Sequence, residues 1–306
     1  MTVDQALQEF LLACAADGLA DTTIKWYRSL LTAYAQGHGA LSVDDVTTRE
    51  LRAYIVSLRN KAQRFEDAPQ RPQQSGGYSR DTVKGHVTAL HRFWAWVSDE
   101  YEIPNPMQKI RRVKRTSPRI KSINEQDFIK LFDATEGSKC PERDRAMLAV
   151  LADTGVRLGG LLSMTTERTD NHARRAIVTE KGQKQRTVYF THFTSLLLIQ
   201  WQALRDSKSN ALWVSLETGE PLTASGVHEM LKRLKRRAGV KGRVNPHAFR
   251  HQFARKYIMS GGDISTLAKI LGHTDIQTTH NYYAIFNKDE IAGFHDRYGS
   301  IDQWFK

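Results

Sequence analysis

The segment RAIVTEKGQKQRTVYF, residues 175–190, decides the fold because its pattern differs from that of the chain around it. Two short runs rich in β-branched and aromatic residues, Arg175–Thr179 and Arg186–Phe190, flank a polar turn that contains Gly182. Such runs on either side of a short glycine-containing segment are typical of a β-hairpin. We therefore predict a hairpin with a basic turn, which a short strand at Ala211–Val214 completes to a small antiparallel sheet.

Helical periodicity dominates elsewhere, with apolar residues recurring at three- and four-residue spacing. Asp21, Ser79 and Asn124 are the expected N-caps, a short helix is expected after Pro106, and Lys61–Gly77 is expected to be a loop. The predicted helices are Thr2–Asp17, Asp21–Gln36, Val46–Asn60, Ser79–Ser98, Asn124–Thr135, Glu142–Thr154, Phe193–Arg205, Thr223–Arg237, Pro246–Met259, Ile264–Leu271, and one that begins at Ile276.

A domain boundary is expected near residue 115. The chain of 306 residues is too long for one small core, and Pro118 disfavours helix at Ser117, which indicates an extended linker. We predict an all-helical domain at residues 1–115 and, at residues 116–306, a mainly helical domain with the small antiparallel sheet. The fold class is thus multidomain, α followed by α+β.

The charge of the chain points to a polyanionic partner. Lys and Arg number 45 against 33 Asp and Glu, which gives a formal net charge of +12. Residues 109–121 carry seven basic side chains and no acid, a run that repels itself unless phosphates neutralise it. Nucleic acid is the polyanion that best matches such a run.

Several other classes of protein are disfavoured. No apolar run is long enough to cross a bilayer, and the N-terminus lacks the pattern of a secretory signal, so we expect a cytoplasmic, nucleoid-associated protein. Cys14 and Cys140 form no C-x-x-C pair. His247 and His251 have the i, i+4 spacing of zinc ligands, but no Glu stands beside His247 and no third ligand follows. We predict no metal, no ATP site and no other cofactor.

Four segments concentrate His, Arg, Lys and Tyr where helices begin or turns form. They are Asp153–Arg157, Glu180–Gly182, Asn245–His251 and Leu271–Tyr283. Each has an ordinary explanation when it is taken alone: a Gly before an Arg is often a helix C-cap, and basic residues three apart often form a solvated helix face. Their order along the chain is more informative.

The ordered set of these residues resembles the catalytic constellation of the tyrosine recombinases, the phage integrase family, and in particular its compact Xer- and Cre-like branch. Residues 154–157 are similar to the family's T-G-L-R box, residues 181–186 to its K-G-x-K-x-R hairpin, and residues 271–279 to its L-G-H-x-x-x-x-T-T stretch. The family's nucleophile lies nine positions after this histidine, which selects Tyr282 over Tyr283. The implied catalytic residues are Arg157, Lys181, His247, Arg250, His273 and Tyr282.

The resemblance implies a site-specific DNA recombinase or integrase that cleaves and rejoins DNA through a 3′-phosphotyrosyl intermediate and strand exchange. Neither metal nor ATP is required for such chemistry. The partners that it implies are double-stranded DNA with a specific core site and three further copies in a tetrameric synapse, with a partner recombinase or DNA-bending protein as further candidates. The first domain more loosely resembles the family's core-binding domain.

The chemistry of a phosphodiester explains these residue types. Charge builds up on its non-bridging oxygens in the transition state, and the planar, always protonated guanidiniums of Arg157 and Arg250 are suited to bind them. His273 would add a donor. A phenol has a pKa near ~10 and needs a base or a positive pocket, which makes His247 the candidate for proton transfer from Tyr282.

The remaining proton is needed by the departing 5′-oxygen. The family assigns this role to its hairpin lysine, here Lys181, with Lys184 as a competitor. Expected DNA contacts, for which a solvated surface is the alternative, are Lys109, Arg111, Arg112, Lys114, Arg115, Arg119, Lys121, Lys184, Lys232, Arg233 and Arg236.

One departure from the family pattern and two rival functions stay open. Where many members have R-x-S-E, this chain has Arg157-Leu-Gly-Gly160, so an acid is missing and a water or another acid is expected to replace it. A type IB topoisomerase shares the chemistry but only relaxes supercoils. A catalytically idle DNA-binding regulator would share the fold.

Overall fold

The computed structural model describes residues 1–61, 63–64, 74–112, 122–180 and 182–272. The chain divides into two compact units, Met1–Thr116 and Ser117–Lys306, and each has its own hydrophobic core. The first unit is helical apart from one short strand pair, and the second is mainly helical with a small antiparallel sheet, so the predicted fold class is confirmed. Among the described residues no helix is both long and apolar enough to cross a membrane.

Four α-helices build the described part of the first unit. Phe10 and Phe93 meet edge to face, with ring centroids 5.6 Å apart, and Trp94 is fully buried beside them. Within the predicted loop, the two-residue strands β1 and β2 pair antiparallel, which the sequence pattern did not indicate. The elements are α1 (Val3–Ala16), α2 (Asp21–His38), a 3-10 turn (Val43–Asp45), α3 (Thr48–Asn60), β1 (Gln63–Arg64), β2 (Gln74–Ser75) and α4 (Arg80–Glu100).

Two of the three predicted N-caps are confirmed. The side chains of Ser79 and Asn124 accept hydrogen bonds from the amides of Thr82 and Asp127, at 3.2 and 2.6 Å. The prediction for Asp21 is wrong. Ala20 takes the extended N-cap conformation there, and Asp21 is already inside α2, so its carboxylate acts only on the helix dipole.

The short helix expected after Pro106 is absent from this described segment. The amides of Gln108 and Ile110 instead donate to the carbonyls of Asn105 and Met107, which closes two overlapping turns. Both hydrogen bonds span three residues, and no i to i−4 ladder follows them. The segment therefore forms two tight turns and does not propagate as a helix.

The second unit surrounds one central helix, α6, which packs against α8 and α10. Most of its residues are buried, since the run Ala146–Leu151 is entirely apolar and Arg143 and Asp144 are buried as an ion pair. The elements are α5 (Glu125–Asp133), a 3-10 turn (Ala134–Gly137), α6 (Pro141–Thr154), α7 (Leu158–Leu162), β3 (Thr169–Asp170), β4 (Arg175–Thr179), β5 (Gln185–Tyr189), α8 (His192–Leu204), α9 (Ala224–Arg237), α10 (Pro246–Met259) and α11 (Ile264–Leu271).

The predicted hairpin is confirmed, and its partner strand is different from the predicted one. In β4 and β5, Arg175 lies opposite Tyr189 and Thr179 opposite Gln185. The third strand of the sheet is β3, so the strand predicted at Ala211–Val214 is wrong. That segment forms only isolated bridges, because its backbone pairs with two different partners: the amide of Leu212 donates to Met164 O, and the amide of Leu222 donates to Trp213 O.

Replacement of Ser79, the N-cap of α4, and of Asp21, the first residue of α2, tests this assignment of caps. Ser79→Ala removes a cap worth about 1 kcal/mol, so the amides of the first turn of α4 should exchange with solvent about fivefold faster. Asp21→Ala removes only a dipole interaction of about 0.3–0.5 kcal/mol and should raise exchange in α2 by at most about twofold. Hydrogen exchange read by mass spectrometry measures both, and equal effects would contradict the assignment.

Candidate active site

The turn between α6 and α7 presents Arg157. Gly155 ends α6 in the left-handed region, with φ +57°, and a Cβ there would lie 2.9 Å from Phe253 Cδ1. Only glycine combines that backbone conformation with such close packing. The chain then leaves α6 sharply and brings Arg157 to the N-cap position of α7, with its side chain 34% exposed.

Arg250 comes to the same place from α10. Asn245 caps this helix and Pro246 occupies its first turn, so Arg250 follows in the second turn. Its side chain is buried, and its guanidinium donates to the carbonyls of Gly155 and Leu271, at 2.8 and 2.6 Å. Arg157 Nη1 reaches the same Leu271 carbonyl at 3.5 Å, so the two guanidiniums are neighbours.

Three consecutive carbonyls at the C-terminus of α11 accept from arginines. Arg186 Nη1 donates to Ile270 O at 2.7 Å, and Arg157 donates to Gly272 O from Nη1 and Nη2 at 3.3 and 3.4 Å, while Leu271 O is the carbonyl shared by Arg157 and Arg250. The last carbonyls of a helix lack partners within the helix and carry its negative dipole end. These arginines therefore fix the end of α11, and His273 is the next residue of the chain.

Glu180 joins two of these arginines. One carboxylate oxygen accepts from Arg157 Nη1, and the other accepts from Arg186 Nε and Nη2 at 3.1 and 3.0 Å. The Glu180 side chain is only 9% exposed. Burial lowers the pKa of Arg186, an effect that Glu180 opposes and Arg157 reinforces. Sequence reasoning assigned no role to Glu180; an acid directly before the hairpin lysine was the available signal.

His247 lies in the first turn of α10 with an altered proton affinity. More than a third of the residue is exposed, yet partial desolvation lowers its pKa, followed by the positive charges of Arg250, Arg157 and Arg243. A histidine with a lowered pKa is neutral at pH 7 and can accept a proton. The neighbouring His251 follows the same trend, since burial first and His247 second lower its pKa to about 4.

Arg157, His247 and Arg250 are the predicted catalytic residues that the structure brings together. Lys181, His273 and Tyr282 lie outside the described residues, as does the predicted helix from Ile276. In the described part of the chain, no group of three His, Cys, Asp or Glu residues is placed to hold a metal ion.

The expected DNA contacts that are described are all exposed. Four other candidates, Lys114, Arg115, Arg119 and Lys121, lie outside the described residues. In the second unit, α9 presents its cations on a face opposite the buried Leu231 and Leu234. The exposed candidates are Lys109, Arg111 and Arg112 in the first unit, and Lys184, Lys232, Arg233 and Arg236 in the second.

Comparison with known proteins identifies the family. Residues 121–289, more than half of the chain, match the family described as the phage integrase family. The chain belongs to the phage integrase family, and it is a tyrosine recombinase, as the sequence motifs predicted. It is 28% identical over 287 residues to tyrosine recombinase XerC of Alcanivorax borkumensis, across 91% of this chain and 88% of that protein.

Solved structures share the fold. The Tn1549 transposon integrase in complex with a circular intermediate DNA superposes with a TM-score of 0.75 at 19% identity, over 97% of this chain and 99% of that one. A lambda integrase tetramer bound to a Holliday junction gives a TM-score of 0.73 at 18% identity, over 92% of this chain and 77% of that one. At these identities the likeness concerns the fold.

The lowered proton affinity of His247 can be tested by removing one of its causes. Arg243→Gln takes away one of the positive charges that, after desolvation, lower the pKa of His247, so this pKa should rise. Proton NMR titration of the imidazole, assigned with His247→Gln, measures it. Arg145→Gln, whose charge pairs with Glu136, is the control; the same rise in both variants, or a fall with Arg243→Gln, would contradict the assignment.

Proposed function

We propose that this chain is a site-specific DNA recombinase in which Arg157 and Arg250 bind the scissile phosphate and Tyr282 attacks it. The observation that carries the proposal is the pair of guanidiniums on the Leu271 carbonyl, beside His247 with its lowered pKa. In this proposal the unit Met1–Thr116 is the core-binding domain and the unit Ser117–Lys306 the catalytic domain.

The two arginines have different surroundings and therefore different parts in binding the phosphate. Arg250 is 3% exposed and held by two carbonyls, which fixes its position before DNA arrives. Arg157 keeps a third of its side chain exposed, so its fork can reach an anionic oxygen. Preorganised donors of this kind stabilise the charge that develops on the non-bridging oxygens without reorganisation during the reaction.

The proton transfers follow from the charges around them. Neutral His247 accepts the phenol proton as Tyr282 Oη bonds to phosphorus, and the bond from phosphorus to the 5′-oxygen breaks. Lys181 supplies the proton that this 5′-oxygen takes up. His273 adds a donor to the phosphate. A 5′-hydroxyl of another strand then attacks the phosphorus of the 3′-phosphotyrosyl link and gives its proton to Lys181, while Tyr282 leaves and takes back the proton held by His247. One phosphoester bond replaces another, so no ATP is consumed.

The proposed partner is double-stranded DNA with a specific core site. Four copies of the chain assemble on this DNA, and the assembly is located at the nucleoid. Two features support this: the exposed cations of α9, and the fold shared with recombinases whose structures contain DNA, one of them a tetramer on a Holliday junction. Phosphate contacts dominate affinity in such complexes. A partner recombinase or a DNA-bending protein would act on the same assembly.

A covalent adduct is the direct test of the nucleophile. The protein is incubated with a cognate site nicked next to the scissile phosphate, so that the cut strand diffuses away, and adducts are resolved on a denaturing gel. Tyr282→Phe should abolish the adduct because it lacks the attacking oxygen, whereas Tyr283→Phe should retain it.

The adduct assay, together with a plasmid relaxation assay and a strand-joining assay, separates the rival functions. An idle DNA-binding regulator gives no adduct with the parent protein. A type IB topoisomerase gives an adduct and relaxes plasmids of any sequence without pairing two sites. A recombinase gives an adduct only at its site and joins strands between two sites. An adduct that persists in Tyr282→Phe and disappears in Tyr283→Phe would overturn the assignment of the nucleophile.

The basic face of α9 predicts a change in the salt dependence of binding. If Arg236 contacts a phosphate, Arg236→Gln should weaken binding to every DNA sequence alike and reduce the slope of log K against log salt by about 0.9. Fluorescence anisotropy at several salt concentrations measures both quantities. Lys139→Gln is the matched control, since Lys139 is 88% exposed in the same unit and paired with Glu217. Equal slopes in both variants would show that Arg236 of α9 does not contact DNA phosphates.

A further inference from the structure

The carboxylate missing from the R-x-S-E pattern cannot come from position 160. Gly160 is buried in α7, and a Cβ there would lie 2.8 Å from Val156 Cγ2 and 3.6 Å from Val178 Cβ. Val156 thus fills the space that the first atoms of a side chain would need. An acid that supports Arg157 has to arrive from a different element.

Glu180 arrives from the hairpin. It directly follows β4, and its backbone N–H donates to Lys184 O at 2.8 Å across the turn. This hydrogen bond closes the turn and aims the Glu180 side chain at the end of α11. There the carboxylate meets Arg157 and Arg186, while Gly272 makes room: a Cβ at Gly272 would lie 2.9 Å from Arg186 Cδ and 3.3 Å from Glu180 Oε2.

We propose that Glu180 is the positioning residue of this active site, which supplies to Arg157 the carboxylate that position 160 lacks. The proposal rests on the proposed function of Arg157 as a phosphate ligand. Arg186 completes the arrangement, because it binds the other carboxylate oxygen and the carbonyl of Ile270, which belongs to the same helix end as Gly272.

The geometry leaves Arg157 able to bind its ligand. Its Nη1 is held by Glu180 and by the carbonyls of Leu271 and Gly272, and Nη2 donates to Gly272 O at 3.4 Å. One edge of the guanidinium is thus fixed while a third of the side chain remains exposed. Charge-assisted hydrogen bonds of this kind fix orientation as well as contributing energy, and small displacements of such groups cost about 100-fold in rate.

Glu180 precedes Lys181, the proposed acid, so an effect on Arg157 has to be separated from an effect on Lys181. A substrate with sulfur in place of the bridging 5′-oxygen makes the separation, because a thiolate leaves without being protonated. A variant impaired through Arg157 stays slow on this substrate. A variant impaired through Lys181 recovers the parent rate.

The experiment compares Glu180→Gln, Glu180→Asp and, as control, Glu217→Gln, which loses an exposed ion pair with Lys139. Two quantities are measured on the full chain: cleavage of the oxygen and sulfur substrates, and modification of Arg157 by phenylglyoxal, mapped by peptide mass spectrometry. The second needs no activity and reports whether the guanidinium is held.

Glu180→Gln should cleave both substrates about 10- to 100-fold more slowly than the parent. In this variant phenylglyoxal should modify Arg157 several-fold faster than in the parent. Glu180→Asp, which keeps the charge, should lie between Glu180→Gln and the parent in both the cleavage rate and the rate of Arg157 modification. Glu217→Gln should match the parent in both. Unchanged modification of Arg157 in Glu180→Gln, or full recovery on the sulfur substrate, would overturn the proposal. Absence of any adduct with the parent protein would instead overturn the proposed function.

Discussion

The C-terminal end of α11 is the constraint on which the described part of the active site depends. A helix end leaves its last carbonyls without partners, and here Ile270, Leu271 and Gly272 receive theirs from Arg186, Arg250 and Arg157. These arginines come from a strand, a helix and a turn that are far apart in sequence. Their common target brings Arg157 and Arg250, the proposed phosphate ligands, together at the point from which the chain continues to His273 and Tyr282.

Local patterns predicted the elements well where a single cause decides them. The bounds of α10 and α11 follow from Asn245 with Pro246 and from the glycine after Leu271, and the hairpin follows from alternation around its turn. The prediction of a strand at Ala211–Val214 was wrong because pairing decides whether a run becomes a strand, and this run divides its backbone hydrogen bonds between Met164 and Leu222.

The sequence predicted Arg157 and Arg250 as site residues and missed Glu180, and the reason is physical. Arg157 and Arg250 stand in short motifs, and their residue type alone suits a phosphate. Glu180 also stands beside a motif, but its role comes from contacts with Arg157, 23 residues away, and with Arg186 across the hairpin turn. No local pattern shows which cations a carboxylate will meet, because the fold decides it.

The assembled cluster explains why one acid among several cations serves the proposed chemistry. Three guanidiniums packed without anions would repel one another, and burial already lowers the pKa of Arg186. Helix carbonyls offset this repulsion with partial charges, and Glu180 adds one full negative charge, which is shared between Arg157 and Arg186. Desolvation and the positive charges of Arg250 and Arg157 still lower the pKa of His247, so in the proposed site this imidazole stays neutral and can act as the base for the phenol. A second acid near His247 would raise the pKa of that imidazole, so in the proposed mechanism the placement of the acid on Arg157 and Arg186, more than the number of acids, keeps His247 neutral at pH 7.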